Sequence, residues 1–124
     1  MKNRQSAFTL LEIMLVVAII GVLLAAAIYK MAPALDVAKG TRTRADIQAI
    51  RTMLLSYNGS NGSYPTGDQG LSALVPRLME ELPKDAYGSA YVYRCPGRRN
   101  PTSYDLFSAG PDKIPDTADD DYGK

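Results

Sequence analysis

The residues able to do chemistry are unevenly placed along this chain. The densest cluster lies near the C-terminus, where Asp112, Asp116, Asp119, Asp120 and Asp121 stand within ten residues, with Lys113 and Lys124 as the nearby bases. Carboxylates so close repel one another, and left alone they make a solvated, disordered tail. Calcium is the other resolution. It takes several hard oxygen ligands, tolerates irregular geometry, and accepts backbone carbonyls beside carboxylates. Gly110, Pro111 and Pro115 favour a turn that folds Asp112 back toward Asp119 and Asp120. The run is not an EF-hand, which needs alternating acids, a central Gly and a closing Glu. Magnesium suits it less well, because it demands a strict octahedron and retains waters.

The second candidate is Glu12. From Phe8 to Ile28 the chain runs 21 residues with this single charge. A helix of that length spans about 30 Å, the thickness of a bilayer core. A carboxylate well inside such a helix costs about 2.5–3.5 kcal/mol, less toward the interface, and is usually there for a partner. Lys2 and Arg4 precede the span and place the N-terminus in the cytoplasm, although Lys30, Lys39, Arg42 and Arg44 beyond it dilute the charge argument. Two plain readings stand beside an assembly role. One is a simple anchor. The other is a cleaved secretory signal with Ala25, Ala26 and Ala27 at its cleavage site.

What is missing narrows the classes. There is no His, hence no common general base or zinc ligand, and Cys95 is alone, so no intrachain disulfide or Cys-based metal site can form. No enzyme is expected. A formal charge of +1, split between a basic start and an acidic end, lacks the clustered basic face of a nucleic-acid binder. Cys95 reads as a partly buried thiol at a strand end.

The elements that must position these groups follow from periodicity. A helix is expected over 8–58, its first part (8–29) transmembrane, with Pro33 bending or loosening it. Ile47, Ile50, Leu54 and Tyr57 make one apolar stripe, which a compact head has to cover. Asn58-Gly59 ends the helix, and Asn58 to Ser63 is a turn-rich link. A short helix is expected at 69–75, or between Pro76 and Glu81. Tyr91-Val92-Tyr93 and the run from Tyr104 to Ser108 have strand composition around the turn-prone stretch from Pro96 to Pro101. They are expected to pair as a hairpin whose inner face covers the helix stripe. A head of about 65 residues buries little core and usually needs a staple.

Four motifs carry a resemblance. They are A-F-T-L-L-E at 7–12, Y-P-T-x-x-Q-G-L-x-x-L-V from Tyr64, L-P-x-D-x-x-G-x-x-Y from Leu82, and S-A-G-P-D-x-x-x-x-T-x-D-D from Ser108. Together they resemble the major pseudopilins of type II secretion, the general secretion pathway protein G family within the type IV pilin-like superfamily. The third motif has drifted, with Ala86 and Tyr87 in place of the family's Pro and Trp.

The resemblance implies an α+β, pilin-like fold: a long N-terminal helix packed on a small antiparallel sheet with a C-terminal metal loop. It implies a leader (1–7) cut by a prepilin peptidase between Ala7 and Phe8, with N-methylation of Phe8, although Ala7 stands where the family prefers Gly. The new Phe8 amine would partner the Glu12 carboxylate of a neighbouring subunit and fix their register. A periplasmic head (59–124) would hold calcium through Asp112, Asp119 and Asp120 and the carbonyls of Ala109 and, secondarily, Ile114. Ser108 would add its hydroxyl or cap the turn, and Asp116 and Asp121 would be outer acids or face solvent. Type IV pilins commonly close this region with a disulfide, and a calcium clip would replace it. The implied protein is a non-enzymatic, single-pass inner-membrane subunit. It would form a periplasmic homo-oligomeric filament with minor pseudopilins, an inner-membrane assembly platform and a secretin, and help export folded proteins across the outer membrane. A type IV pilin of a surface filament, and a secreted calcium-binding module, are the competing readings.

Overall fold

The computed structural model describes residues 7–124; Lys2, Arg4 and the rest of the expected leader before Ala7 lie outside the described residues. One helix, α1 (Leu10–Asn61), is followed by a 3-10 turn (Gly70–Leu74) and two short strands, β1 (Val92–Arg94) and β2 (Asp105–Phe107). The chain divides into two compact units, one reaching to Val37 and the other running from Ala38 to Lys124.

Among the described residues the first unit is helix from Leu10 onward. Every residue from 7 to 38 is exposed, including Leu10 (79%) and Ile28 (69%), so the apolar surface of this stretch finds no cover within the chain. Its start is fixed by a reciprocal cap that pattern reading missed. The Thr9 amide donates to Glu12 Oε2 at 2.9 Å, and the Glu12 amide donates to Thr9 Oγ1 at 3.2 Å. This is a capping box, in which each side chain satisfies a backbone donor that the first helical turn leaves over. Helix is continuous through Pro33, so any bend or loosening there does not interrupt the element. A proline removes one donor from the ladder, and one lost bond does not end a helix of this length.

The second unit has a core. Thr43, Ile47, Ile50 and Leu54 are the buried positions of α1, spaced four, three and four apart on one face. Leu71 and Leu74 from the 3-10 turn, Tyr91, and Leu106 of β2 close over that stripe, with Tyr57 partly buried against it. The strands pair antiparallel, Tyr93 opposite Leu106, as the alternation predicts. Helix persists to Asn61 rather than ending at Asn58, because Asn61 Nδ2 donates to the Tyr57 carbonyl and Gly62 N to that of Asn58. Between Gln69 and Val75 the expected short helix is 3-10, and none forms between Pro76 and Glu81.

Tyrosines supply packing with a polar tip. Tyr91 donates to Asp46 Oδ2 at 2.9 Å and Tyr93 to the Pro65 carbonyl at 2.7 Å. Burial, reinforced for Tyr91 by the Asp46 carboxylate, pushes both phenols well above the usual tyrosine range. Cys95 follows β1 directly and is half-buried.

Candidate functional site

The acidic loop is built outward from the end of β2. Ser108 is fully buried and pairs backbone to backbone with Asp121, its amide reaching the Asp121 carbonyl at 2.9 Å and the reverse bond equally short. These two bonds pin the root of the loop. The Ser108 hydroxyl donates to Asp85 Oδ2 at 2.7 Å and accepts from the Gly110 amide at 3.2 Å. It therefore caps the turn. Asp85 in turn accepts the amides of Tyr87 (3.1 Å) and Ser89 (2.7 Å), so a buried carboxylate is balanced by three donors.

Gly110 has φ +69°, and a Cβ there would meet the Asp119 carboxylate at 2.9 Å, so only glycine lets the chain turn this tightly. Beyond it the acids gather. The Asp112 amide donates to Asp119 Oδ2 at 3.2 Å, and Asp112 Oδ1 accepts from the Ile114 amide at 2.9 Å. The Thr117 hydroxyl lies 2.6 Å from Asp119 Oδ1, 3.0 Å from the Ile114 carbonyl and 3.4 Å from Asp120 Oδ1. These bonds, that of Thr117 first, hold the Asp119 carboxyl below the usual carboxylate range. Asp112, Ile114, Asp119 and Asp120 thus share one small network, while Ala109 is buried at the loop's root. The donor set is entirely oxygen, which fits a hard cation such as calcium. Among the described residues no three acidic, His or Cys side chains converge on one point; their oxygens are turned to the loop's own donors.

Asp116 is set apart. Arg94 grips it with two bonds, 2.7 and 2.9 Å, and Arg98 lies 3.4 Å away. A bidentate guanidinium bond is the strong form of this contact, and it holds the Asp116 carboxyl below its ordinary range. Asp121 spends one oxygen on the Gly123 amide. The C-terminal segment then returns to the helix. The Arg51 guanidinium donates to the Tyr122 carbonyl at 2.8 Å, and Gly123, with φ +72°, sits where a Cβ would strike Ile47.

At the other candidate position, Glu12 lies in the first turn of α1 with one oxygen engaged by Thr9. Its surroundings from Leu10 to Leu24 are apolar and open. The T-x-x-E spacing at 9–12 is the signal from which this cap is readable.

Comparison with known proteins fixes what this arrangement belongs to. The family model described as type II secretion system protein G matches residues 30–123, and that of the prokaryotic N-terminal methylation motif matches residues 2–28. This chain belongs to the type II secretion system protein G family. Among its relatives is the type II secretion system core protein G of Dickeya chrysanthemi, 39% identical over 99% of this chain and 88% of that protein. That of Pseudomonas aeruginosa is 37% identical over 97% and 93%. The crystal structure of the major pseudopilin from enterohaemorrhagic Escherichia coli superposes with a TM-score of 0.60 at 34% identity, covering 68% of this chain and 85% of the other. The fold is pilin-like, and the chain is a structural subunit of a type II secretion pseudopilus, anchored in a membrane. A surface pilin is not favoured by these likenesses.

Proposed function

We propose that the chain is cut between Ala7 and Phe8, methylated at the Phe8 amine, and held in the inner membrane by the apolar start of α1. Its N-terminus then faces the cytoplasm and its head the periplasm. Subunits leave the bilayer through their helices and stack into a filament that helps folded proteins cross the outer membrane. The partners are further copies, minor pseudopilins, the prepilin peptidase, an inner-membrane assembly platform and a secretin. The observation that carries this reading is the run from Ala7 to Ala38, exposed throughout and uncharged through Ile28 but for Glu12. A surface of that size in a single chain demands cover, first from lipid and then from neighbouring helices.

In this scheme Glu12 accepts the ammonium of Phe8 from a neighbouring copy. Two charges that are costly in an apolar setting then neutralise one another and set the stagger of subunits. The Thr9 cap supports the role, since it holds the carboxylate at the helix start and leaves Oε1 for a second donor.

Calcium is proposed for the acidic loop, held by the carboxylates of Asp112, Asp119 and Asp120 with the carbonyls of Ala109 and Ile114. The bound ion supplies positive charge among acids that repel one another. The chain's own contribution is to root the loop through Ser108 and Asp121 and to gather the donors around Thr117. Binding to the folded state alone stabilises it by mass action. The test is a thermal melt of the detergent-solubilised full chain with calcium and with a chelator. The midpoint is expected to fall on chelation, and to be insensitive to chelation once Asp119→Ala is introduced. An unchanged midpoint in the parent would reject the metal.

A further inference from the structure

The second unit carries a cavity of about 700 Å3 between the helix, the stretch from Arg99 to Leu106 and the C-terminus. Arg51, Arg99 and Lys124 line it, together with Tyr64, Tyr104 and Tyr122. Its cations are not spent on carboxylates. Arg51 donates to the Tyr122 carbonyl, and the Arg99 guanidinium lies 4.2 Å over the Tyr122 ring. Among the described residues the ion pairs are Arg42 with Asp46 and Arg94 and Arg98 with Asp116, none of them in this cavity. The one acidic side chain in its wall, Asp105, is already occupied. Its oxygens accept the amides of Arg99 at 2.8 Å and Asn100 at 3.1 Å. What remains is a concave, aromatic-walled site with excess positive charge, suited to carboxylates.

The same unit displays carboxylates of the opposite kind. Glu80 and Glu81 are adjacent and exposed, lie outside the cavity lining, and make no ion pair among the described residues. Arg77 and Lys84 flank them in sequence without reaching ion-pair distance. The acids of the C-terminal loop are less available, since the loop's own donors and Arg94 already engage them.

We propose that the cavity of Arg51, Arg99 and Lys124 receives the Glu80-Glu81 pair of a second copy of this chain. Two unlike patches on one subunit make a heterologous contact, and a heterologous contact that does not close a ring generates an open helical filament. The contact therefore has the symmetry a pseudopilus needs. It sets orientation between heads, beside the axial stagger that Glu12 sets between helices, because charge complementarity specifies partner and register more than raw affinity. The inference rests on the pseudopilus reading.

The experiment uses the full chain expressed with its secretion apparatus, with the outer membrane opened and the released filaments quantified. Glu80→Lys with Glu81→Lys is expected to lower filament yield roughly tenfold, while the melting midpoint of the solubilised subunit stays parental. Adding Arg51→Glu and Arg99→Glu is expected to restore the yield. Because Arg51 also holds Tyr122, a second swap with Arg99→Glu and Lys124→Glu spares that bond and is expected to restore it in part. Parental yield from the reversed acid pair, or failure of both swaps to rescue, overturns the contact. Absence of filaments from the unaltered chain overturns the pseudopilus reading, and the contact with it.

Discussion

The two units of this chain solve opposite problems with the same helix type. Through Ile28 the helix is apolar on every side but for Glu12, and as far as Val37 it buries nothing. Beyond Ala38 it is amphipathic and places Ile47, Ile50 and Leu54 at zero exposure. A helix apolar all round belongs in lipid or inside an assembly, and a one-faced helix belongs against a sheet. The first unit is therefore completed by other molecules and the second by its own chain. On the proposed reading function divides the same way, with anchorage and helix stacking in the first and metal binding in the second.

This contrast can be broken most directly at Glu12. Glu12→Leu is expected to abolish the filaments recovered once the outer membrane is opened, while leaving membrane insertion and the melting midpoint of the head intact. Loss of membrane association would place the defect in insertion and remove the assembly role. In the second unit the corresponding break is Leu54→Ala. It empties a fully buried site and is expected to cost about 2–5 kcal/mol, read as a lowered midpoint in denaturant, with insertion unaffected.

Smaller effects sharpen the picture of the head. Asp105→Ala removes the acceptor for the Arg99 and Asn100 amides and for Asn100 Nδ2 at 3.3 Å. Leaving such donors unmatched costs about 1–3 kcal/mol. Proteolysis between Cys95 and Ser103 should rise with it, and unchanged cleavage would show that Asp105 does not order this stretch. The tyrosines give a pH signature. Burial raises the phenols of Tyr91, Tyr93 and Tyr104 above the unfolded value of about 10. Their contribution is complete below that value and is lost as pH rises toward the folded values, where the unfolded chain releases its protons first. Stability of the head is expected to decline above about pH 10, and Tyr91→Phe to blunt the decline. A slope unaffected by Tyr91→Phe would place the titrating group elsewhere.

How much of this was legible in the sequence depended on range. Periodicity revealed the stripe of Ile47, Ile50 and Leu54, and alternation revealed the hairpin, because both are local geometry. The end of α1 was misplaced because side-chain bonds from Ser60 and Asn61 carry the helix past Gly59, a competition propensity alone does not resolve. The polar links were not legible. Ser108 meets Asp85 across 23 residues, Arg94 meets Asp116 across 22 and Arg51 meets Tyr122 across 71, and no spacing rule names such pairs before the fold exists. The acidic loop shows both limits. Its turn residues announced that Asp112 returns to Asp119, whereas the removal of Asp116 by Arg94 depended on where β1 would lie.

The central claim is that the uncovered apolar helix belongs to the working protein and carries Glu12 into an assembly. Intact mass and N-terminal fragmentation of the chain recovered from membranes test this most directly. The account predicts a mature chain that begins at Phe8 with one added methyl group and retains Glu12. A chain beginning near Ile28 would contradict it, because the helix would then have been a signal that the finished protein discards.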